Sequence, residues 1–366
     1  MSELEPYIRK VVATPPALTP ADLGDAIGII IEHLANESEP NVAVYVPIAG
    51  FLAALRATKL DHKAEYIAAA AKAVLKHSDV VANDATNVSD NEVTIDIVGT
   101  GGDGQNTFNV STSSAIVAAG IPGVKVCKHG GRASTSNSGA GDLIAVLGCD
   151  PSKVTARTVP HLWARNSFLF LLAPYFHNGM KHVALMRKLL KMPTIFNVLG
   201  PLLHPVPTVH KRVLGVFSRD LGPEYARAAA IMYPDSETYV VWGHVGLDEV
   251  SPTGVTTVWH TVPGCAEPKT FDVTPELFGL REHTLADCAS LGPEQNAVVL
   301  RKILGGAYRK GQDPIYDYVL LNTATLYCLV QGNQDWPAGV VAAEQSIHSG
   351  EAREALEHFL ADVDRL

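Results

Sequence analysis

The residues best placed by type and spacing to do chemistry fall in three short stretches. The first is GTGGDGQNTFNVST, residues 99–112, with Gly99, Gly101, Gly102 and Gly104 crowded into six positions and small donors at Thr107, Asn109, Ser111 and Thr112. A β-branched run at 94–98 leads into it, and an alanine-rich apolar run at 113–119 leads out and closes at Gly120. Strand, glycine turn and helix start make an anion cradle. Glycines let backbone N–H groups close on phosphate oxygens, and the first turn of a helix carries unpaired donors with a partial positive charge. A phosphate-bearing ligand is the expectation.

The second stretch is KHGGRASTSNSG, residues 128–139, which follows a short strand at 124–127 and holds Lys128, His129 and Arg132 among glycines, hydroxyls and amides. Ligands of open α/β sheets sit beyond the carboxyl ends of the strands, and this loop leaves the strand expected beside the first. It joins positive charge to exposed backbone donors. The third is Asp248-Glu249, in a turn just past a strand at 238–242. Two carboxylates near a phosphate site imply a hard divalent cation. Mg2+ fits, because it takes one or two protein carboxylates and completes its shell with phosphate oxygens and water.

Residues 99–104 also satisfy G-x-G-x-x-G. A dinucleotide turn, however, starts its helix at the glycines and places an acid about 20 residues on. Here residues 105–109 intervene, and the next strand exits into Lys128-His129. The Walker Lys-Ser/Thr pair is missing, and the 14 histidines show no zinc spacing.

The elements that must position these loops divide the chain in two. Thr19-Pro20-Ala21-Asp22 is a capping box, followed by Leu23, Ile27, Ile30 and Leu34 on one helical face. Residues 47–57 and 62–77 continue the helical pattern, so residues 1–91 read as an all-helical domain. From Thr94 strands alternate with helices, which predicts an α/β domain with a mostly parallel sheet, over 92–174 and 194–366. Further strands are expected at 194–199, 213–217 and 255–262, and helices at 142–147, 223–232, 293–304, 317–329 and 344–360. A helix at about 175–191, stopped by Met192-Pro193, reads as an excursion, 175–193, back to the helical domain.

Composition limits the function. A chain of 366 residues with 47% hydrophobic and 18% charged residues has ample core, and a net charge of −9 disfavours nucleic acid or an acidic membrane as partner. Five scattered cysteines without a C-x-x-C pair suit a reducing compartment. There is neither a signal-like N terminus nor a run of ~18 apolar residues, so a cytoplasmic protein without membrane contact is expected.

Together, residues 99–112, 128–139, TIFNVLGPL at 194–202 and GLDEVSP at 246–252 resemble the anthranilate phosphoribosyltransferase family, closest to its fungal branch, over essentially the whole length. The resemblance implies a small helical domain on a larger α/β domain, an architecture shared with pyrimidine nucleoside phosphorylases, and a homodimer. It implies transfer of the 5-phosphoribosyl group from phosphoribosyl pyrophosphate (PRPP) to the amine of anthranilate, a step of tryptophan biosynthesis. By the same resemblance PRPP is held by Gly99, Gly102, Asp103, Thr107, Asn109, Ser111, Thr112, Lys128 and Ser136, and Mg2+ by Asp248 and Glu249 with Ser111. Gly131 and Pro193 stand where members outside the fungal branch carry Asn and Arg that touch anthranilate. Around that pocket Gly99, His129, His177, Met180 and Arg187 are the remaining anthranilate candidates.

Overall fold

The structure is a computed structural model and describes every residue except Met1, Ser38, Asn87, Asp90, Ser134 and Thr135. Ser134 and Thr135 belong to the cationic loop, and that part of the loop lies outside the described residues.

The chain begins with four helices, α1 (Glu5–Val12), α2 (Pro20–Ala35), α3 (Val42–Ala57) and α4 (Ala64–Leu75). α2 starts at the expected capping box: Asp22 N donates to Thr19 Oγ1 at 3.1 Å, and Thr19 N donates back to the Asp22 carboxylate at 2.9 Å. Its buried stripe, Leu23, Ala26, Ile27, Ile30, Ile31 and Leu34, packs on the alanine-rich face of α4.

The α/β part follows as β1 (Val93–Gly99), α5 (Val110–Ala119), β2 (Val124–Gly130), α6 (Ala140–Val146), α7 (Val159–Trp163) and β3 (Phe168–Leu172). After α8 (Asn178–Leu190) come β4 (Lys211–Gly215), α9 (Gly222–Met232), β5 (Glu237–Gly243), β6 (Thr256–Val262) and β7 (Cys265–Val273). The chain closes with α10 (Pro293–Leu304), α11 (Pro314–Gln331), α12 (Trp336–Ser349) and α13 (Glu351–Asp364). One sheet runs β3-β2-β1-β4-β5-β6-β7, parallel from β3 to β5 and antiparallel at β6 and β7. β2 and β3 are buried along their whole length, as parallel strands covered on both faces must be.

α8 packs against the first helices. Val183 and Met186 share a core with α2, α3 and α4, and Gly179 sits where a Cβ would press on Ile31 at 3.2 Å. That core continues into one face of the sheet through Val98, Leu214 and Val240. Glu224 of α9 adds a polar tie, accepting from Ala64 N at 2.9 Å at the uncapped start of α4 and from Lys63 Nζ at 3.1 Å.

Three expectations need correction. Residues 194–199 are not a strand: Thr194 N donates to Asn197 Oδ1 at 3.0 Å, which closes a 3-10 turn at Ile195–Asn197, and the apolar run is spent as a buried connector. Residues 344–360 are not one helix, because Gly350, at φ 90°, separates α12 from α13. α5 starts at Val110 and not at 113, so Ser111 and Thr112 lie in its first turn. Two strands had no expectation. β3 is a continuous apolar run without alternation, and β7 is an exposed edge interrupted by Pro268.

Candidate active site

The register pairs Gly99 with Gly215 and sets Val93 beside Val124, so the carboxyl ends of β1, β2, β4 and β5 open on one side of the sheet. The turn after β1 runs through Gly101, Gly102 and Gly104 at φ 66°, 78° and 73°, a left-handed conformation that side chains resist. It delivers the chain to α5, which has no side-chain cap. Val110 N turns back to Phe108 O at 2.6 Å, and the N–H groups of Ser111 and Thr112 are left for a ligand. Thr112 Oγ1 is buried there without a hydrogen-bond partner among the described residues.

The second loop is stitched to the first. Asn109 Nδ2 donates to Ser138 O at 2.8 Å, and Ser138 Oγ donates to Asn109 Oδ1 at 2.7 Å. Asn296 of α10 donates to the same Asn109 Oδ1 at 2.8 Å and to Ser290 Oγ at 2.8 Å. Asn296 and Ser290 were invisible to sequence reasoning, since no motif links them to a loop 187 residues away.

These loops surround a cavity of about 350 Å³. Of the residues expected at a site, Gly99, Asp103, Thr107, Asn109, Ser111, Thr112, Lys128, His129, Gly131, Ser136, Arg187, Asp248 and Glu249 line it. Gly102 stands in the adjoining turn, outside the lining. His177 lies behind His129, with the two Nε2 atoms 3.1 Å apart. Met180 packs against the helical core, and Pro193 is exposed beyond the end of α8.

Electrostatically the cavity is divided. At one end Gly101 N donates to Asp248 Oδ2 at 2.6 Å, Asp103 is in hydrogen-bond contact with Asp248, and Tyr318 of α11 donates to Glu249. Burial, then the Asp103 charge, lifts the Asp248 carboxyl to about 7. Burial, then Asp248, lifts Glu249 to about 8, and burial raises Asp103 as well. Three acids that hold protons against each other form a site that a cation would relieve. Among the described residues no three His, Cys, Asp or Glu are set to close around a metal alone. That donor set suits Mg2+, which needs few protein oxygens when a phosphate supplies the rest.

Close enough to Glu249 to feel its charge, Lys128 is fully buried, and its Nζ donates to Ile97 O at 2.6 Å. Burial pulls its pKa down while Asp96 and Glu249 oppose the shift. Arg187 reaches the cavity from α8, and the structure gives it no hydrogen bond or ion pair among the described residues. A half-buried guanidinium without an acid is suited to a carboxylate brought by a ligand.

A helical bundle, a parallel sheet and a phosphate cradle facing acids define a glycosyl transferase of the two-part kind. Residues 5–78 match the glycosyl transferase family helical bundle domain and residues 91–353 its α/β domain. The chain is 59% identical to the anthranilate phosphoribosyltransferase of Saccharomyces cerevisiae over 98% of each chain, and 43% identical to that of Schizosaccharomyces pombe over 86% of each. A solved structure of the S. cerevisiae enzyme in complex with PRPP and Mg superposes with TM-score 0.95 at 58% identity, covering 100% of this chain and 99% of that one. The enzyme from Thermus thermophilus superposes at 0.80 with 31% identity, covering 98% and 99%. The chain belongs to the anthranilate phosphoribosyltransferase family.

Proposed function

We propose that this chain transfers the 5-phosphoribosyl group of PRPP to the amine of anthranilate, giving N-(5-phosphoribosyl)anthranilate and pyrophosphate. The observation that carries the reading is the convergence of the glycine turn, Lys128 and the Asp248–Glu249 turn on one cavity, with Arg187 facing them. Solved structures of the S. cerevisiae relative hold PRPP with Mg in one case and 4-fluoroanthranilate in another, which supports the same pair of substrate classes here.

In this reading the α5 N terminus, Thr107, Asn109, Ser111, Thr112 and Ser136 take phosphate oxygens, with Gly99, Gly102 and Asp103 shaping the turn that admits them. Lys128 balances charge on the phosphates, and Arg187 takes the anthranilate carboxylate. His129 and Gly131 border the aromatic ring, while His177, Met180 and Pro193 act from behind or beside it. An arylamine is a neutral nucleophile and needs no strong base, so the chain's task is to align the amine with C1 and stabilise charge building on the departing pyrophosphate. Each preorganised donor of that kind is worth roughly 3 to 4 kcal/mol. Asp248, Glu249 and Ser111 would hold Mg2+, whose charge neutralises the pyrophosphate.

Residues 1–91 with 175–193 form one unit in this reading and 92–174 with 194–366 the other. Exposed Val42 and Val46 on α3 and Leu185 and Leu189 on α8 support a homodimer through the helical unit. No described helix is long and apolar enough to cross a membrane. The test is loss of anthranilate fluorescence on adding PRPP and Mg2+. Fluorescence that stays constant with folded protein, PRPP and Mg2+ all present overturns the reading.

A further inference from the structure

The cavity opens where two neighbouring strands part. β1 and β2 pair only through Val93↔Val124, Thr94↔Lys125 and Ile95↔Val126, although β1 runs on to Gly99 and β2 to Gly130. Beyond that point β1 stays paired with β4 and β2 with β3. Residues from both sides of the split, Val98, Gly99 and Thr100 on one and Lys128, His129 and Gly130 on the other, line the cavity.

Continued by one rung, the parallel ladder would set Ile97 N on Cys127 O and His129 N on Ile97 O. Side chains take these groups instead. Lys128 Nζ donates to Ile97 O at 2.6 Å, His204 Nε2 donates to Cys127 O at 2.7 Å, and His129 N donates to Asp96 Oδ1 at 3.1 Å. The fourth group, the Ile97 N–H, also stabilises the Asp96 carboxylate. Buried ladder groups must be partnered, and here three side chains partner them with the rung unmade.

The segment that brings His204 continues the apolar run at 194–202, which has no part in the proposed chemistry. Its 3-10 turn at Gly200–Leu202 lies against both β1 and β2, so the run crosses the split. Asp96 is the one acid among the side chains that bridge it. It is fully buried, lies outside the cavity lining, and pairs in register with Arg212 of β4. Lys128 and Arg212 both stabilise its charge.

We propose that Asp96 is a positioning residue for the transfer: by accepting from His129 N it keeps β1 and β2 parted at the cavity mouth, and so holds Lys128 and the glycine turn at the spacing the phosphates of PRPP require. This rests on the transferase reading. Asp96 touches no substrate and acts through the two loops that do.

Two variants of the full chain separate position from charge. Asp96→Asn keeps the accepting oxygen and gives up the charge, and Oδ2 has no hydrogen-bond partner for an amide nitrogen to displace. Asp96→Glu keeps the charge and moves the acceptor by one methylene. Asp96→Asn should melt at lower temperature, because Lys128 and Arg212 lose their buried acid, yet keep kcat/KM for PRPP close to that of the wild type. Asp96→Glu should lose kcat/KM for PRPP on the order of a hundredfold, the effect of a displacement of about 1 Å, with KM for anthranilate unchanged. In crystals of Asp96→Ala the rung should close, with His129 N on Ile97 O and Lys128 Nζ released. Impaired Asp96→Asn beside normal Asp96→Glu overturns the proposal, as does Asp96→Ala with the strands still parted. Should Asp96→Glu fail to fold, Asp96→Asn decides alone, since its impairment makes charge and not position the requirement. A wild type that consumes no anthranilate would instead remove the transferase reading and the substrate named here, while the Asp96→Ala crystals would still show whether Asp96 keeps the strands apart.

Discussion

Gly99 and Asp248 meet with no room for a side chain between them: a Cβ at position 99 would lie 2.8 Å from Asp248 Cγ and collide with the carboxylate. Gly215, paired with Gly99 across β1 and β4, stands against the Asp248 carbonyl in the same way. The acidic turn is thus seated on two glycines at adjacent strand ends. In Gly99→Ala the carboxylate must give way, and overpacking of this kind costs about 1–3 kcal/mol. The expected outcome is a folded protein whose turnover falls on the order of a hundredfold, since a displacement of about 1 Å at a positioned group costs that much. Circular dichroism and the fluorescence assay check it, and normal turnover in Gly99→Ala would detach Asp248 from the reaction.

The raised Asp248 carboxyl gives a prediction with a definite sign. Its pKa rises from 3.8 to about 7 on folding, by burial first and the Asp103 charge second. An acid of this kind burdens the folded state once it ionises. The penalty is absent below 3.8, grows as pH rises, and is complete above about 7. Asp248→Asn should therefore stabilise the metal-free protein at pH 8 by on the order of a few kcal/mol, and leave stability at pH 3.5 little changed. The same variant should lose the stabilisation that Mg2+ with PRPP gives the wild type. Thermal melts at both pH values in chelator, and with Mg2+ and PRPP restored, decide it. A variant less stable than wild type at pH 8 in chelator contradicts the electrostatic picture.

The sequence carried the site further than the fold around it. Gly99 to Thr112, Lys128 and Asp248–Glu249, which the structure gathers around one cavity, stood out because phosphate and Mg2+ chemistry would need these residue types close together in sequence, at strand ends. Asn296, Ser290 and Tyr318 support that site from α10, α11 and the loop before α10, and no local pattern marks a residue that acts at such distances along the chain. Gly215 was missed for a related reason. One glycine in an apolar run has no signature until the neighbouring strand and the Asp248 turn are in place. β3 lacked the alternation that reveals half-buried strands, whereas residues 194–199 had strand composition but spent it on a buried turn.

Arg187 offers the clearest separation of the two substrates. It lines the cavity from α8, burial lowers its pKa, and it has no recorded acid partner among the described residues. If it takes the anthranilate carboxylate, Arg187→Gln removes a charge-assisted hydrogen bond worth about 1.5–3 kcal/mol. KM for anthranilate should then rise roughly ten- to a hundredfold, with KM for PRPP unchanged. Aniline, which lacks the carboxylate, should be used equally by both proteins. Equal KM values for anthranilate in variant and wild type would move the carboxylate elsewhere in the cavity.

The exposed apolar side chains of the helical unit predict how copies of the chain associate. Val42 and Val46 on α3 are 75% and 63% exposed, and Leu189 on α8 is 55% exposed, while the opposite faces of both helices are packed. Covering a Val or Leu side chain contributes about 1.5–3 kcal/mol, and in a two-fold interface each residue is counted twice. Glutamate at Val46 and Leu189 together would place four carboxylates in such an interface, so the wild type should sediment as a dimer and the double variant as a monomer. α8 also carries Arg187, so the monomer should show a raised KM for anthranilate while PRPP binding holds, because loosening that helix disturbs only the part of the cavity that Arg187 reaches. A double variant that remains dimeric in sedimentation would assign the contact to another surface.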